Sequence, residues 1–537
     1  MFTKKDYFTL SGDTGDIEIL HDDFNLSELA LLFPNVNSIM IPKKAEYNLK
    51  KNVSKILLKQ IDPNVEVAIE KCLLVLSNLA STYYVEDKDN EENRWKRLNS
   101  KILHEQTKNK DNTYIYPQII EVLKKGTANG PFIEVTEDNI TNVQSRSYRI
   151  TPSYYKAGLK EYFINDAGII QNRNKVYYEQ LNEALGNPIC SNLIKVYPKL
   201  ELPTSEELLI IGKQLVKNGY RTKKGKILTL RNRHKNDYWN DSNNRSFVED
   251  NIKLFEYLTN RGFIIPSAGN EKSGGRVIDS FTLMPSWIRA QITIEGKKLT
   301  ECDYSALHPN IAIKLYGGNQ NYITHLAVSE ATDIDLKEVK IEHLSFFNKN
   351  WHSMRKSLLF DYYSKNETTM LENIYKDKKS NGYKITSKKM FAVEVAIMTD
   401  VIKYLNTKNI NVLYVYDALL CEEKDKSTVV DTMNRIILQH GVKTKVKTNE
   451  ISTSTEKNGV VMFSPNYEVN LYNLLPTLSF SVNESMLIIQ YFNRSKVLMK
   501  ELLDYFKNQK KEQRYNDFGG VMITDEKINK LRGILKG

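Results

Sequence analysis

The sequence predicts an α+β fold, and three stretches carry that expectation. "VEVAIEKCLLVLSNLASTYYV" (65–85) spaces its apolar residues at the period of one helix face. "INVLYVYDALLCEE" (410–423) reads as two short strands of β-branched and aromatic residues joined by a tight turn. The stretch 276–445 alternates strand and helix patterns instead of repeating either one.

Residues 1–145 mix helical periodicity with charge-rich breaks such as "EDKDNEENRWKR" (86–97) and are expected to form a mainly helical region. Within them "GDIEIL" (15–20) has the Asp-x-Glu spacing of an exonuclease strand, but no partner acids accompany it, so no exonuclease is expected. Residues 146–274 are basic and helical in pattern. Arg221, Lys223, Lys224, Arg231 and Arg233 stand among Tyr220, Tyr238 and Trp239, with only Asp237 and Asp241 as acids between 213 and 245. Cations interleaved with aromatics suit a phosphate backbone with bases stacked beside it. "SAGNEKSGG" (267–275) reads as a flexible junction. Segments 275–320 and 401–465 hold the strands, 321–400 is a helical insert between them, and 466–537 is a C-terminal helical region led by "ESMLIIQYFNRSKVLMKELLDYF" (484–506).

At 537 residues, 41% of them hydrophobic, the chain is long enough for two to four domains. Its 76 Lys plus Arg against 65 Asp plus Glu leave a formal charge of +11, which favours a polyanionic partner. Cys72, Cys190, Cys302 and Cys421 lie far apart without zinc spacing and are expected to be reduced and buried. The N-terminus "MFTKKDYFTL" lacks the apolar core of a signal peptide, and no stretch reaches the roughly 18 apolar residues that span a bilayer. The expectation is an intracellular, cytoplasmic protein with no membrane partner.

Two aspartates then stand out. Asp303 ends an apolar strand in "LTECDYSALHPNIAIKLYGG", and Asp417 sits at the tip of the 410–423 hairpin. A buried carboxylate is costly to ionise without a cation nearby, so acids at strand ends meet solvent, a cation, or a ligand that carries one. If the two strands are neighbours in one sheet, the acids form a divalent-metal site. Phosphoryl transfer uses such sites, because two metal ions roughly 3.5–4 Å apart bind both the attacking and the leaving oxygens. Carboxylates are hard oxygen ligands that suit Mg²⁺.

The run "GGRVIDSFTLMPSWIRAQITIEGKKLTECDYSALHPNIAIKLYGG" resembles the part of family A DNA polymerases that leads from a Gly-Arg pair through a Pro and an Arg to motif A. Gly275-Arg276, Pro285, Arg289 and Asp303-Tyr304-Ser305 stand in that order, and the residues after Asp303 also have the flavour of family B. "VLYVYDALLCEE" resembles motif C, with Tyr416 in place of the usual His and Ala418 in place of the usual Glu; Glu422 and Glu423 are the acids that could replace the missing one. The resemblance implies a right-hand polymerase of a phage or mobile element, with a palm sheet, helical fingers (321–400) and a thumb-like basic region (146–274). It implies two Mg²⁺ ions, with Mn²⁺ as a substitute, on Asp303, Asp417 and the backbone carbonyl of Tyr304. Lys356, with Arg355, would hold the incoming triphosphate and Tyr363 would pack on its base. His308 would crowd the sugar 2′ position, and Arg276 and Arg289 would contact template, primer or triphosphate. The implied partners are a DNA primer-template, or RNA, and nucleoside triphosphates. Two alternatives stay open: an RNA polymerase or primase of the same fold, and a catalytically silent nucleic-acid-binding protein.

Overall fold

A computed structural model describes residues 36–84, 94–109, 111–128, 130–136, 146–232 and 241–450, with short pieces between 468 and 529. The exonuclease-like stretch 15–20 and Arg233 lie outside the described residues. The fold mixes helices with small antiparallel sheets, as expected for α+β. The chain divides into two compact units, and the division does not follow the expected boundary near 145. The smaller unit holds 34–181 and 229–257, and the larger holds 182–228 and 258–537, so the basic segment 146–274 is shared between them.

In the smaller unit, β1 (Ser38–Pro42) pairs antiparallel with β2 (Leu159–Phe163), and helix α1 (Val65–Ser77) packs against β1. The helix expected from 65–85 is therefore present but ends at Ser77. Asn64 caps its start by accepting from Glu66 N–H at 3.0 Å. Its Ile69, Cys72, Leu73 and Leu76 are buried in the unit's core. Glu70 is buried on the same helix and serves as an acceptor hub. Its Oε1 accepts from the Tyr162 hydroxyl at 2.9 Å and Asn165 N–H at 2.8 Å, and its Oε2 from Asp166 N–H at 2.9 Å.

The larger unit is built on one antiparallel sheet. Helix α2 (Pro188–Val196) leads to β3 (Leu200–Glu201), and the sheet continues through β4 (Thr293–Ile294), β5 (Lys297–Tyr304), β6 (Val412–Val415), β7 (Ala418–Glu422) and β8 (Val446–Glu450). The spatial order is β6-β7-β5-β4-β3, with β8 also paired to β5. Strands β6 and β7 are buried throughout, which is why 412–421 reads as a nearly unbroken apolar run. Helices α3 (Leu307–Tyr316) and α4 (Ile385–Thr407) pack with the other helices, while α2 packs on β6 and α5 (Lys426–Gln439) on β5, β7 and β8. Helix α4 packs on α2, α3 and α5, and the Asn192 amide of α2 donates to the Val412 carbonyl at 2.8 Å.

Two sequence expectations change here. "SAGNEKSGG" is a folded hairpin, not a loose junction: Ser267–Ala268 pairs with Val277–Ile278, and Gly269 N–H donates to the Arg276 carbonyl at 2.9 Å. In the C-terminal region, Val482–Tyr491 is helical with a Ser481/Glu484 capping box, but Lys496–Leu498 is a strand paired with Glu468–Asn470. All four cysteines are buried and free, and no described helix is long and apolar enough to cross a membrane.

Replacing Glu70 with Leu leaves two backbone N–H groups and the Tyr162 hydroxyl without their acceptor. The expected loss is about 2–3 kcal/mol in urea denaturation, and a loss below about 0.5 kcal/mol shows that water substitutes for the carboxylate.

Candidate active site

Strand β5 alternates. Cys302 and Tyr304 are buried while Glu301 and Asp303 share the more open face. Its register with β7 runs Leu299↔Glu422 to Asp303↔Ala418, so Asp417 stands one residue beyond the partner of Asp303. Tyr304 N–H closes the corner by donating to the Asp417 carbonyl at 3.3 Å. The two aspartates, 114 positions apart (417 − 303), are thus neighbours in the sheet. The turn between β6 and β7 is Tyr416-Asp417, and Tyr416 has φ 59°. Ala306, just after the other aspartate, has φ 50°. Left-handed backbone at a bulky residue costs energy and tends to occur at functional sites.

Both carboxyl groups are difficult to ionise. Burial pushes Asp303 up most, the Asp417 charge adds to it, and the result is about 8 although Lys223 and Lys447 pull the other way. Asp417 is raised by burial and then by Glu394, with His308 and Arg276 opposing. Lys223 comes from the Arg221–Ile227 hairpin, and its Nζ lies 2.9 Å from Glu301 Oε1. Lys447 lies directly across from Asp303 on β8.

The sequence reading missed Glu394. It lies on α4, fully buried, and holds Arg276 and His308, the two neighbours that oppose the rise at Asp417. Arg276 donates to it through Nε at 2.8 Å and Nη2 at 2.5 Å, and His308 Nε2 approaches it at 2.8 Å. A carboxylate only accepts, so the His308 proton sits on Nε2. Burial alone would raise the Glu394 pKa, but the His308 hydrogen bond and the charges of His308 and Arg276 hold it below the usual range. The Arg276 guanidinium also lies over Phe391 at 3.7 Å and Tyr416 at 4.9 Å from the ring centroids. Gly274 makes this placement possible. At φ +64° a Cβ there would come within 2.4 Å of Phe391 Cβ and 2.8 Å of Ala392 N on α4. An apolar-periodic helix with one central Glu was the available signal, but nothing in the sequence says which partner that Glu faces.

Other expected site residues fall elsewhere. Tyr363 is wholly buried, stacked on Phe346 and bonded through its hydroxyl to His343 Nε2 at 2.8 Å, so its face is not open to a base. Lys356 and Arg355 are exposed, and the leading charges on Asp303 and Asp417 come from other residues. Arg289 is buried, with Nη1 donating to the Met284 carbonyl at 2.6 Å, so it closes a helix end and is not open to nucleic acid. Arg231 is committed to Asp250 by an ion pair at 2.5 Å and lies over Phe247. Arg221 donates to the Gly225 carbonyl of its own turn, and Lys224 is exposed in that turn. Glu422 and Glu423 do not replace the missing acid. Glu422 sits four strand positions from Ala418, roughly 13 Å along β7, and pairs with Lys297 and Lys424, while Glu423 accepts from the Thr300 hydroxyl. The Tyr304 ring is fixed by its hydroxyl donating to the Met433 carbonyl at 2.8 Å, so only its backbone is available to the site.

The donor set fits a hard divalent cation. Two adjacent carboxylates that are reluctant to ionise alone would be relieved by positive charge, and Mg²⁺ keeps waters and phosphate oxygens in its remaining positions. Among the described residues no cluster of three or more His, Cys, Asp or Glu joins in holding a metal, so the protein side chains offered are these two.

With metal chelated, Asp303 titrates near 3.8 when unfolded and about 8 in place, so between those values the folded state binds the extra proton. Its contribution to stability is complete below the unfolded value and is lost as pH rises through about 8. Denaturation midpoints of the wild type should therefore fall from pH 5 to 8.5, and those of Asp303→Asn should fall less; parallel curves would mean an unshifted carboxyl. Glu394→Ala strands Arg276 and His308 and should cost about 3–5 kcal/mol in the same assay, with a cost under 1 kcal/mol arguing that the trio is dispensable.

No protein-family model matches this chain, and no curated protein sequence matches it. Among solved structures, the POL domain of Pol1 from M. smegmatis, in a complex with DNA primer-template and dNTP, aligns at 10% identity. The alignment covers 56% of this chain and 74% of that one, with a TM-score of 0.28. At that level the likeness carries no weight for this chain's activity.

Proposed function

We propose that the chain is a template-directed nucleotidyltransferase that acts as a DNA polymerase. The observation that carries this reading is the placement of Asp417, in the turn that opens β7, beside Asp303 near the end of β5, with Tyr304 N–H tied to the Asp417 carbonyl. Asp303, Asp417 and the Tyr304 carbonyl would hold two Mg²⁺ ions, or Mn²⁺, which when bound supply Lewis-acid stabilisation of phosphate oxygens.

The chain's own residues then have separate tasks. The primer 3′-OH attacks the α-phosphate of a nucleoside triphosphate and pyrophosphate leaves, so negative charge gathers where the carboxylates already crowd. Lys223, Lys447 and Arg276 are the cations whose charges reach those carboxylates, and they would attract the triphosphate and stabilise its leaving group. They replace Lys356 and Arg355 in the role the resemblance implied. Glu394 fixes Arg276 and His308, which keeps the His308 ring, five residues after Asp303, in one orientation beside the site. Deoxynucleotides are the expected substrates, and a cytoplasmic setting in phage or mobile-element replication suits that activity.

The test is primer extension by the purified chain with Mg²⁺ or Mn²⁺ and either deoxy- or ribonucleotides. Extension with deoxynucleotides should fall about 10³-fold or more in Asp303→Asn and Asp417→Asn variants that fold normally. Extension only with ribonucleotides would favour an RNA polymerase or primase. Activity that survives both substitutions, or no activity in the wild type, would leave a binding protein.

A further inference from the structure

The residues that follow α5, "VKTKVKTNE" (442–450), place a lysine at every second position, and the structure sets this run along the acid pair. We propose that Lys443, Lys445 and Lys447 form a track for the sugar-phosphate backbone of a nucleic-acid strand that leads to Asp303 and Asp417.

Position is the first argument. β8 pairs with β5 so that Lys447 lies opposite Asp303 and Val446 opposite Tyr304. The pairing continues beyond both strands: Ser305 N–H donates to the Lys445 carbonyl at 2.8 Å, and the Thr444 hydroxyl donates to the Ser305 carbonyl. The run is therefore anchored to the segment that carries Asp303. Its placement near the acids also shows in electrostatics, since the Lys447 charge acts on both Asp303 and His325.

Side-chain direction is the second. Val442 is buried and Thr444 and Val446 are partly covered, whereas all three lysines are exposed. Alternate residues of an extended chain repeat every ~6.8 Å, close to the separation of successive phosphates along one nucleic-acid strand. A single file with that repeat matches one strand better than it matches an acidic protein surface or a lipid headgroup plane.

Available charge is the third. Lys297, Lys349 and Lys389 of the same unit are each committed to a carboxylate. Among the described residues no ion pair holds Lys443, Lys445 or Lys447; Lys443 Nζ has only the Asn321 amide oxygen, at 3.4 Å. Exposed lysines on a strand edge can also serve simply to block edge-to-edge aggregation, which gives the competing outcome a clear signature.

The identity of the strand as primer or template rests on the proposed function, whereas the binding itself does not. The experiment is fluorescence anisotropy of a labelled primed-template DNA with the full chain in EDTA across a KCl series. Lys443→Ala/Lys445→Ala/Lys447→Ala should weaken binding about 10–100-fold at 0.1 M salt and reduce the slope of log K against log salt by about 2–3. Lys376→Ala/Lys379→Ala, which removes two exposed cations from another helix of the same unit, should change neither. Asp303→Asn/Asp417→Asn should lose primer extension without weakening binding, so a lost reaction and a lost track are read separately. If the triple variant melts early, each single lysine variant should shift the slope by about 0.7–0.9. An unchanged slope, aggregation with an unchanged slope, or an equal loss in the Lys376/Lys379 variant would overturn the track.

Discussion

The pairing of β5 with β7 is the constraint on which the rest of the larger unit depends. Five consecutive residue pairs, from Leu299↔Glu422 to Asp303↔Ala418, fix the register. A slip of one residue would turn Asp303 and Glu301 into the covered face and bring Cys302 out. The buried Thr300 and Cys302 on β5, paired with the buried Cys421 and Leu419 on β7, make that slip costly, so burial on that face positions Glu301 and Asp303 on the other. The chemistry of the site is thus set by hydrophobic side chains that never touch a substrate.

Electrostatics pulls against this arrangement. The Asp417 charge raises the cost of ionising Asp303, and Glu394 adds a third negative charge close to Asp417. The fold compensates with Arg276 and His308 on the Glu394 side and Lys223 and Lys447 on the Asp303 side. Such a cluster is poor design for stability alone, because two hydrocarbon side chains would pack there without desolvation cost. Left-handed backbone at Tyr416 and Ala306 adds further strain at the same corner. Sites that sacrifice stability in this way are where function is expected.

Some of this was legible in the residues. The 410–423 hairpin, the strand ending at Asp303 and the helix starting at Val65 all follow from local periodicity, and local periodicity survives folding when the buried face is long enough. The Gly-Gly-Arg run was visible as a motif, but its reason was not: Gly274 is small because the backbone of α4 passes against it, over a hundred residues later in the chain. The basic residues of 146–274 show the same limit. Basic residues look alike in sequence, while in the structure Arg231 is spent on Asp250, Arg289, further along, on carbonyl groups, and Lys223 is brought to Asp303.

From the residues alone came the strands, the turn that carries Asp417, the reduced cysteines and the net positive charge, because each depends on neighbours within a few positions or on composition. Which helix faces the carboxylates, that Glu394 anchors Arg276 and His308, that Tyr363 is sealed in the core, and that Lys447 stands across from Asp303 were decided only in three dimensions. Helical and strand periods tell which side of an element is buried, but they hold no information about what it is buried against. That choice is made by the register of distant strands and by packing between elements, where the energy lies in contacts between residues remote in the chain.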